Sequence, residues 1–287
     1  HQLPSVGAGE VFRQLILCGK IPVTTLDLVY RQGKNSNIAL NAKLMQQGRT
    51  DLIEGEDFQM IACKGAEEAA QIVKELYVKE LAVHGMDQVQ ILSPYKVRSA
   101  AGVIEINRTI QDVVNPPISG KKELHIHDHI FREGDKVLQN KNTEVASNGD
   151  MGILTEISED KDGNPLARIV FPDGRSVLYE ADQMDMVEHA NAITIHKSQG
   201  NECQVVIIPW VWAFYKMLKR NILYTGITRA KQKVYLVGEK KAITVAIKQE
   251  STGTRNTILA ERIRYYCDIY QKPTQRQPKM EQLRLAV

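Results

Sequence analysis

Two stretches of the chain repeat apolar residues at the spacing of an α-helix. From Ala66 to Val83 and from Ala100 to Val114, apolar positions recur every three or four residues, which predicts two helices with one buried face each. The run Val89–Leu92 between them is short and ends at Pro94, which indicates a buried strand. Helices that alternate with short apolar strands are typical of a parallel α/β sheet.

Near residue 125 the pattern changes to short apolar runs separated by turn signals such as Asn148-Gly149 and Asp173-Gly174. Strands so short and closely spaced predict a small antiparallel barrel of roughly 60 residues. The predicted strands are Lys136–Gln139, Gly152–Ile157, Leu166–Phe171 and Ser176–Tyr179.

Near residue 190 the α/β pattern resumes, so the barrel is predicted to be an insertion in an α/β domain. The predicted elements there are the strands Ala192–Ile195, Val205–Pro209 and Lys233–Val237 and a helix from Tyr215 to Thr228. Two short helices are predicted near the start, Glu10 to Leu17 and Asn37 to Gln47, and residues 271–287 are predicted to be a polar tail.

The composition is that of an ordinary folded protein, with 287 residues, 43% hydrophobic and 25% charged, which excludes disordered and fibrous classes. A net charge of +3 permits a nucleic-acid partner without requiring one. The four cysteines are too widely spaced for a CxxC pair and favour a reducing compartment. Because no apolar run approaches the ~18 residues of a membrane span and no signal peptide leads the sequence, we expect a cytoplasmic protein with no membrane partner.

The segment with the strongest chemical signal is Thr194 to Glu202, which follows a predicted strand and contains a glycine, Gly200. Ligands bind at the strand ends of parallel sheets, and glycine permits a close backbone approach. Taken alone, this segment has the alternative interpretation of a solvated loop. A second segment, Tyr224 to Lys231, carries Arg229, which could neutralise charge on a transferred phosphoryl group or could be an ordinary surface arginine.

In their order and spacing these segments resemble the C-terminal motor portion of superfamily-one DNA helicases of the RecD/TraA type. The resemblance covers residues 2 to about 240, and its last two motifs are the most specific. The similar segments are Gln2–Gly7 (end of motif III), Tyr30–Gln32 (motif IV), Ile91–Pro94 (first strand of the second motor domain), Gly134–Val137 with Asn148–Asp150 (the inserted 2B module), Ile193–Glu202 (motif V) and Tyr224–Lys231 (motif VI).

The resemblance implies an α/β fold: a RecA-like second motor domain of the P-loop NTPase type, built on a parallel sheet, with an inserted small SH3-like β-barrel. The implied domains are 1–55 (tail of the first motor domain, 1A), 56–125 with 188–270 (second motor domain, 2A), 126–187 (SH3-like domain, 2B) and 271–287 (tail).

The resemblance also implies roles for individual residues. Arg229 and Arg31 would reach the γ-phosphate of ATP across the cleft between the motor domains, and Gln2 would sense it; these are the implied catalytic residues. Gly200, Glu202, Gln199 and Thr228 would lie near the nucleotide. The implied DNA-binding residues are His196, Lys197, Ser198, Asn140 and Asn148.

The implied function is ATP-driven movement on single-stranded DNA, 5′ to 3′, with unwinding of duplex DNA at junctions. The sequence holds no GxxxxGK[ST] motif, and Gly120-Lys121-Lys122 is its nearest approach. We therefore expect the phosphate-binding loop and the Mg²⁺ ligands in an upstream motor half, and we expect this chain alone to be inactive. Other recombination or repair proteins are further partners that the family allows.

The chain departs from the family pattern at two positions. Gly226 stands where the family often has alanine, and Asn201-Glu202-Cys203 stands where a Ser-Glu-Phe run is common. The first change leaves Arg229 in place, and the second keeps Glu202.

Two weaker signals leave alternatives open. His125, His127 and His129 alternate as if on one face of a strand, which favours a solvated face over a metal site because no Cys or Glu partner lies close in sequence. An aromatic cluster and nearby basic residues either contact DNA or serve as core and solvated surface. They are Trp210, Trp212, Phe214 and Tyr215, with Lys219, Arg220, Lys231, Lys233, Lys240 and Lys241.

Two rival functions remain. The motor could serve a fused nuclease or relaxase, or the chain could be a nucleic-acid-binding module whose motor motifs are relics. Intact Gln199, Thr228 and Arg229 argue against relics.

Overall fold

The computed structural model describes residues 2–3, 9–24, 36–97, 99–249 and 257–270. They fall into two compact units, a larger one within residues 1–3 and 29–251 and a smaller one within residues 4–28 and 252–287. The predicted motif IV with Arg31, and the predicted tail 271–287, lie outside the described residues.

The described α-helices are α1 (Val11–Leu17), α2 (Asn37–Gln46), α3 (Ala66–His84), α4 (Val103–Val114), α5 (Arg220–Ile227), α6 (Lys240–Lys248) and α7 (Leu259–Tyr270). The strands are β1 (Phe58–Ala62), β2 (Val89–Ser93), β3 (Glu123–Ile126), β4 (His129–Arg132), β5 (Lys136–Gln139), β6 (Met151–Glu159), β7 (Pro165–Val170), β8 (Ser176–Glu180), β9 (Val187–His189), β10 (Ala192–Thr194), β11 (Cys203–Trp210) and β12 (Ala230–Gly238). Short 3₁₀ helices span Gln183–Met186 and Trp212–Met217.

The larger unit is built on a parallel five-stranded sheet in the order β1-β12-β11-β2-β10. Strand β11 is buried at every position from Val205 to Trp210, which requires cover on both faces of the sheet. One group of helices is α3 with α4, and another is α2, α5 and α6. The predicted parallel α/β domain is therefore confirmed.

The inserted module is a five-stranded antiparallel sheet in the order β8-β7-β6-β5-β9, with a hydrophobic core of its own. The β3–β4 hairpin adds Leu124, Ile126 and Phe131 to that core. This hairpin corrects the prediction for the three histidines. His125 lies in β3, His127 has a φ of 50° in the turn and His129 lies in β4, so they share no single strand face.

A buried polar cluster joins this module to the motor domain. The carboxylate of Asp135 accepts hydrogen bonds from the side chains of Gln111 (2.6 Å) and Asn115 (2.7 Å) on α4 and from the backbone N–H of Arg132 (2.7 Å). Its Oδ2 also lies 3.2 Å from Nε2 of His189. A buried carboxylate needs several donors to offset its lost hydration, and this Asp135 cluster supplies them from both domains.

Lys136, which follows Asp135, makes a second connection between the module and the motor domain. Nζ of the fully buried Lys136 donates to the carbonyl oxygens of Met86 (2.8 Å) and Val89 (3.2 Å) and to Oε1 of Gln90 (3.0 Å). Burial lowers the pKa of Lys136 to about 8. The module thus places a cation at the amino end of β2.

The predicted helix from Tyr215 to Thr228 is wrong, because it is two elements. A 3₁₀ helix ends at Met217, Lys219 is extended (φ −124°, ψ 144°), and α5 begins at Arg220. Leu218 is fully buried between them. Burial of a side chain at the break outweighs the helical pattern of the sequence.

The smaller unit pairs α1 with α7. The backbone N–H of Ala260 donates to Oε1 of Gln14 (3.1 Å), and Nη2 of Arg264 donates to the carbonyl of Leu17 (2.7 Å). The predicted boundaries placed α7 in the second motor domain and α2 in the first. In the structure α7 belongs to the smaller unit, whereas α2 packs against α5 in the larger one through its buried apolar residues.

Candidate nucleotide and nucleic-acid site

The polar segment Thr194–Glu202 forms a crossover between the two edges of the parallel sheet. Strand β10 ends at Thr194, level with Ser93 at the carboxyl end of β2. Strand β11 begins at Cys203, on the amino side of the point where it meets β2. Residues 195–202 therefore run from the carboxyl edge to the amino edge, and Gly200 supplies the positive φ (+90°) that the turn needs. We call this segment the crossover.

At the amino edge lies Arg229, which is only 5% exposed. Its Nε donates to the carbonyl of Thr225 (3.3 Å), and its Nη1 lies 3.5 Å from the carbonyl of Asn201 in the crossover. Its own carbonyl accepts from the backbone N–H of Cys203 (3.1 Å). These contacts hold the guanidinium at the point where the crossover meets α5.

Segments far apart in sequence meet beside it. The backbone N–H of Leu3 donates to Oγ1 of Thr225 (3.1 Å), and Nε2 of Gln199 donates to the carbonyl of Leu3 (3.4 Å). Gln2 is exposed next to Leu3. The ends of the segments that resemble motifs III, V and VI therefore form one assembly.

Two predicted nucleotide-binding residues have structural partners here. The hydroxyl of Thr228 lies within hydrogen-bonding distance of the carbonyls of Tyr224 (2.9 Å) and Thr225 (3.1 Å), so it points back toward α5. The carboxylate of Glu202 pairs with Nζ of Lys231 at 3.3 Å. Of the two other predicted nucleotide-binding residues, Gln199 is half-buried and Gly200 is exposed.

At the carboxyl edge, Lys197 links the crossover to the inserted module. Its Nζ donates to Oδ1 of Asn140 and to Oδ1 of Asn148 (2.9 Å). Partial burial lowers the pKa of Lys197. Three of the predicted DNA-binding residues thus lie together, and we call them the Lys197 cluster.

The two neighbours of Lys197 differ in orientation. His196 is exposed, and its pKa is lowered by partial desolvation and by the positive charge of Lys219. Ser198 is buried, and its hydroxyl donates to the carbonyl of Ile195 (2.8 Å). This orientation argues against the predicted contact between the Ser198 hydroxyl and DNA.

The aromatic cluster divides into two halves. Trp210 and Phe214 are fully buried, whereas Trp212 and Tyr215 are exposed. Sequence reasoning missed Tyr95, whose ring stacks on Phe214 with centroids 5.4 Å apart. Its position directly after β2, at a strand end, was the available signal.

Among the described residues, no cluster of three or more His, Cys, Asp or Glu side chains has a geometry suited to a metal ion. None of the described helices is long and apolar enough to span a membrane.

Two segments of this chain match known domain families. Residues 189–237 match the UvrD-like helicase C-terminal domain, and residues 106–171 match the SH3 domain of ATP-dependent RecD-like DNA helicases. The resemblance to RecD-like helicases is confirmed. The first match contains the crossover, β11, α5 and most of β12, and the second runs from within α4 to the end of β7.

Relatives of the same kind match over most of the chain. It is 29% identical over 269 residues to the ATP-dependent RecD2 DNA helicase of Deinococcus radiodurans, covering 92% of this chain and 35% of that one. It is 26% identical over 292 residues to the RecBCD enzyme subunit RecD of Mycolicibacterium smegmatis, covering 92% and 48%. Among solved structures, the Pif1 helicase from Candida albicans has a TM-score of 0.48 at 14% identity, over 84% of this chain and 59% of that one. The chain thus spans half or less of the length of these two RecD-like relatives.

Both departures from the RecD-like pattern have a packing consequence. A Cβ on Gly226 would lie 3.0 Å from Cδ1 of Ile208 and 3.3 Å from Cδ1 of Ile195, so glycine lets α5 lie close against the sheet. Cys203 is buried, and burial raises the pKa of its thiol. Its small side chain therefore fills a core position.

Proposed function

We propose that this chain is the C-terminal motor portion of an ATP-dependent DNA helicase that moves along single-stranded DNA and unwinds duplex. The observation that carries the proposal is the crossover, because one eight-residue segment, 195–202, joins the Lys197 cluster to Arg229. A displacement at either end of so short a connection must be accommodated at the other. Such a connection is what coupling between a nucleotide and a DNA strand requires.

The amino edge offers a partial set of groups for a nucleotide triphosphate. Arg229 supplies a cation, Gln199 an amide donor, and Gly200 a backbone with open space around its Cα. The sequence lacks a glycine-rich phosphate loop, so the set fits one side of a polyphosphate and not the whole of it. We assign that loop and the Mg²⁺ ligands to a first motor domain that precedes this one.

Arg229 would act by exchanging partners. Two of its hydrogen bonds go to the carbonyls of Thr225 and Asn201, and an anionic phosphate oxygen attracts a guanidinium more strongly than a neutral carbonyl oxygen does. Nucleotide bound against this edge would therefore draw Arg229 away from Thr225 and Asn201. Mg-ATP bound at this edge would supply the phosphoanhydride bond that is hydrolysed, and after loss of the γ-phosphate Arg229 would return to Thr225 and Asn201. Gln2 and Arg31 are assigned the same side of the site, by resemblance.

The DNA end would work through the Lys197 cluster. An ammonium that is held by two amide oxygens remains a single positive charge, suited to a backbone phosphate in a sequence-independent contact. His196 is exposed beside it. Because Asn140 and Asn148 belong to the inserted module, a strand at Lys197 would touch both domains. Movement 5′ to 3′ and action at junctions are part of the same proposal.

The deciding experiment measures DNA-stimulated ATP hydrolysis by this chain alone and by the same chain joined to a first motor domain of a RecD-like helicase. We expect no hydrolysis by the chain alone and strong hydrolysis by the joined polypeptide. Hydrolysis by the chain alone would show that it holds a complete phosphate site, contrary to the proposal. Single-stranded DNA that binds the joined polypeptide without stimulating hydrolysis would favour a binding module.

The proposed partners are single-stranded DNA and its junctions with duplex, the first motor domain, and other recombination or repair proteins. The proposed compartment is the cytoplasm, in keeping with the free thiols of Cys18, Cys63 and Cys203. If this motor portion is instead fused to a nuclease or a relaxase, the proposed roles of Arg229 and Lys197 are the same.

A further inference from the structure

The segment between β11 and α5 places aromatic side chains alternately inside and outside. Phe214 is fully buried, whereas Trp212 is 41% and Tyr215 59% exposed. Tyr and Trp are enriched at binding interfaces, because each combines an apolar ring with a polar group. All three lie in the 3₁₀ helix that follows the carboxyl end of β11. They therefore share the edge of the sheet at which Lys197 lies.

This 3₁₀ helix is anchored on both sides. Phe214 stacks on Tyr95 with centroids 5.4 Å and planes 13° apart, and Tyr95 follows the neighbouring strand β2. The backbone N–H of Trp212 donates to the carboxylate of Glu239 at 2.6 Å, just after β12. The exposed rings are thus presented by a segment that is tied to the strands on both sides of β11. A preorganised ring loses little conformational entropy when it binds a ligand.

A lysine ammonium group lies over each of the two exposed rings. Nζ of Lys241 lies 4.2 Å from the centre of the Trp212 ring, and Nζ of Lys216 lies 5.8 Å from that of Tyr215. Lys219 lies at the end of the same segment. Partial burial and the positive charge of Lys219 both lower the pKa of His196, so Lys219 acts electrostatically on the crossover. The acidic groups nearby are engaged, Glu239 by the backbone N–H of Trp212 and Glu188 by Lys96 (2.6 Å).

We propose that Trp212 and Tyr215 stack on unpaired bases of single-stranded DNA whose phosphates contact Lys197, Lys219 and Lys241. The inference rests on the proposed function and adds a base-stacking surface to its phosphate contacts. A protein partner is a poorer fit, because closing an apolar interface over these rings would strip water from their lysines. Bases tolerate lysines beside the rings, since the attached phosphates pair with them.

The test is titration of the full chain with a labelled oligothymidylate and with an abasic strand of the same length. We expect Trp212→Ala and Tyr215→Ala each to weaken oligothymidylate binding about tenfold, and Trp212→Phe and Tyr215→Phe to remain within about threefold of the parent. With the abasic strand, which keeps the phosphates and lacks bases, the alanine variants should bind like the parent. Lys197→Ala should weaken binding of both strands.

A matched control is Tyr265→Ala, another exposed tyrosine, in the smaller unit. It should leave both affinities unchanged. If Lys197→Ala weakens binding while both aromatic variants match the parent, the stacking surface is overturned and the proposed function stands. If the aromatic variants lose equal affinity for the abasic strand, they act through the fold or the charge, and stacking is overturned as well. A parent chain that binds neither strand would overturn both proposals.

Discussion

The two edges of the parallel sheet hold their positive charges in opposite ways. At the amino edge, Arg229 and Lys136 are buried, and each donates hydrogen bonds to backbone carbonyl oxygens. At the carboxyl edge, Lys197 is half-buried and Lys219 and Lys241 are exposed. A buried cation can bind an anion only if the new interaction offsets the loss of its present hydrogen bonds. An exposed cation can pair with a DNA phosphate without losing such partners. Under the proposed function, this difference would suit the amino edge to binding a nucleotide and the carboxyl edge to contacting a moving DNA strand.

The largest expected effect tests the amino edge. In a polypeptide that contains the first motor domain, Arg229→Ala should lower kcat for DNA-stimulated ATP hydrolysis by on the order of 10³-fold, because a positive charge is lost where phosphoryl charge develops. Arg229→Lys keeps the positive charge but lacks the planar guanidinium with its paired donors, so it should recover a small part of the lost kcat. The affinity for single-stranded DNA without nucleotide should not change. Equal losses of DNA affinity and of kcat would instead point to disruption of the fold.

The second effect concerns Lys136. Its pKa is about 8 in the folded protein against 10.5 for an ordinary lysine, so the unfolded chain binds more protons between these values. Stability should therefore rise with pH in that window, by about 2 kcal/mol between pH 7.5 and 9.5. Below the folded pKa the cost of burying the charge is fully present. Lys136→Met, measured by denaturant unfolding at both pH values, should lack this rise. The same pH dependence in both proteins would contradict the assignment.

The third effect tests the carboxyl edge. Lys197→Ala should weaken single-stranded DNA binding about five- to tenfold and reduce the slope of log Kd against log salt concentration by about one, since one phosphate contact is lost. Lys240→Ala removes an exposed lysine outside the Lys197 cluster and serves as the matched control. A salt slope that is identical in the two variants would remove Lys197 from the phosphate path.

The smallest expected effect is a change in stability at Gly226, where α5 packs against the sheet between its two edges. Gly226→Ala restores the alanine of the RecD-like pattern and gains helix propensity, but its Cβ must displace the ends of Ile208 and Ile195 by a few tenths of an ångström. The two terms nearly cancel, and the free energy of unfolding should change by less than about 1 kcal/mol. At Gly238, by contrast, a Cβ would lie 2.5 Å from the backbone oxygen of Trp210, which cannot yield as a side chain does. Gly238→Ala should therefore be the more destabilising of the two.

Buried strands and the residues of the strongest motifs were predictable from sequence, because apolar runs and turn residues act locally. The strand Lys136–Gln139 was predicted to the residue, and Arg229 and Gln199 do meet in one assembly around Leu3. Strand β1 was missed because it is only partly buried and has no clear alternation.

Features that depend on distant partners could not be predicted. The break at Lys219 depends on the burial of Leu218, and the turn at His127 depends on hairpin pairing. The inward orientation of Ser198 and Thr228 depends on which carbonyls lie within reach, which motif spacing does not encode.

The Asp135 cluster and Lys136 tie the inserted module to a helix and to a strand of the motor domain at once. Two such attachments remove the freedom to swivel that one would leave. The module should therefore move together with the motor domain as one rigid body. The exposed turn at Asp162-Gly163 would move with it, so a fluorescent label at that turn would report the orientation of the motor domain.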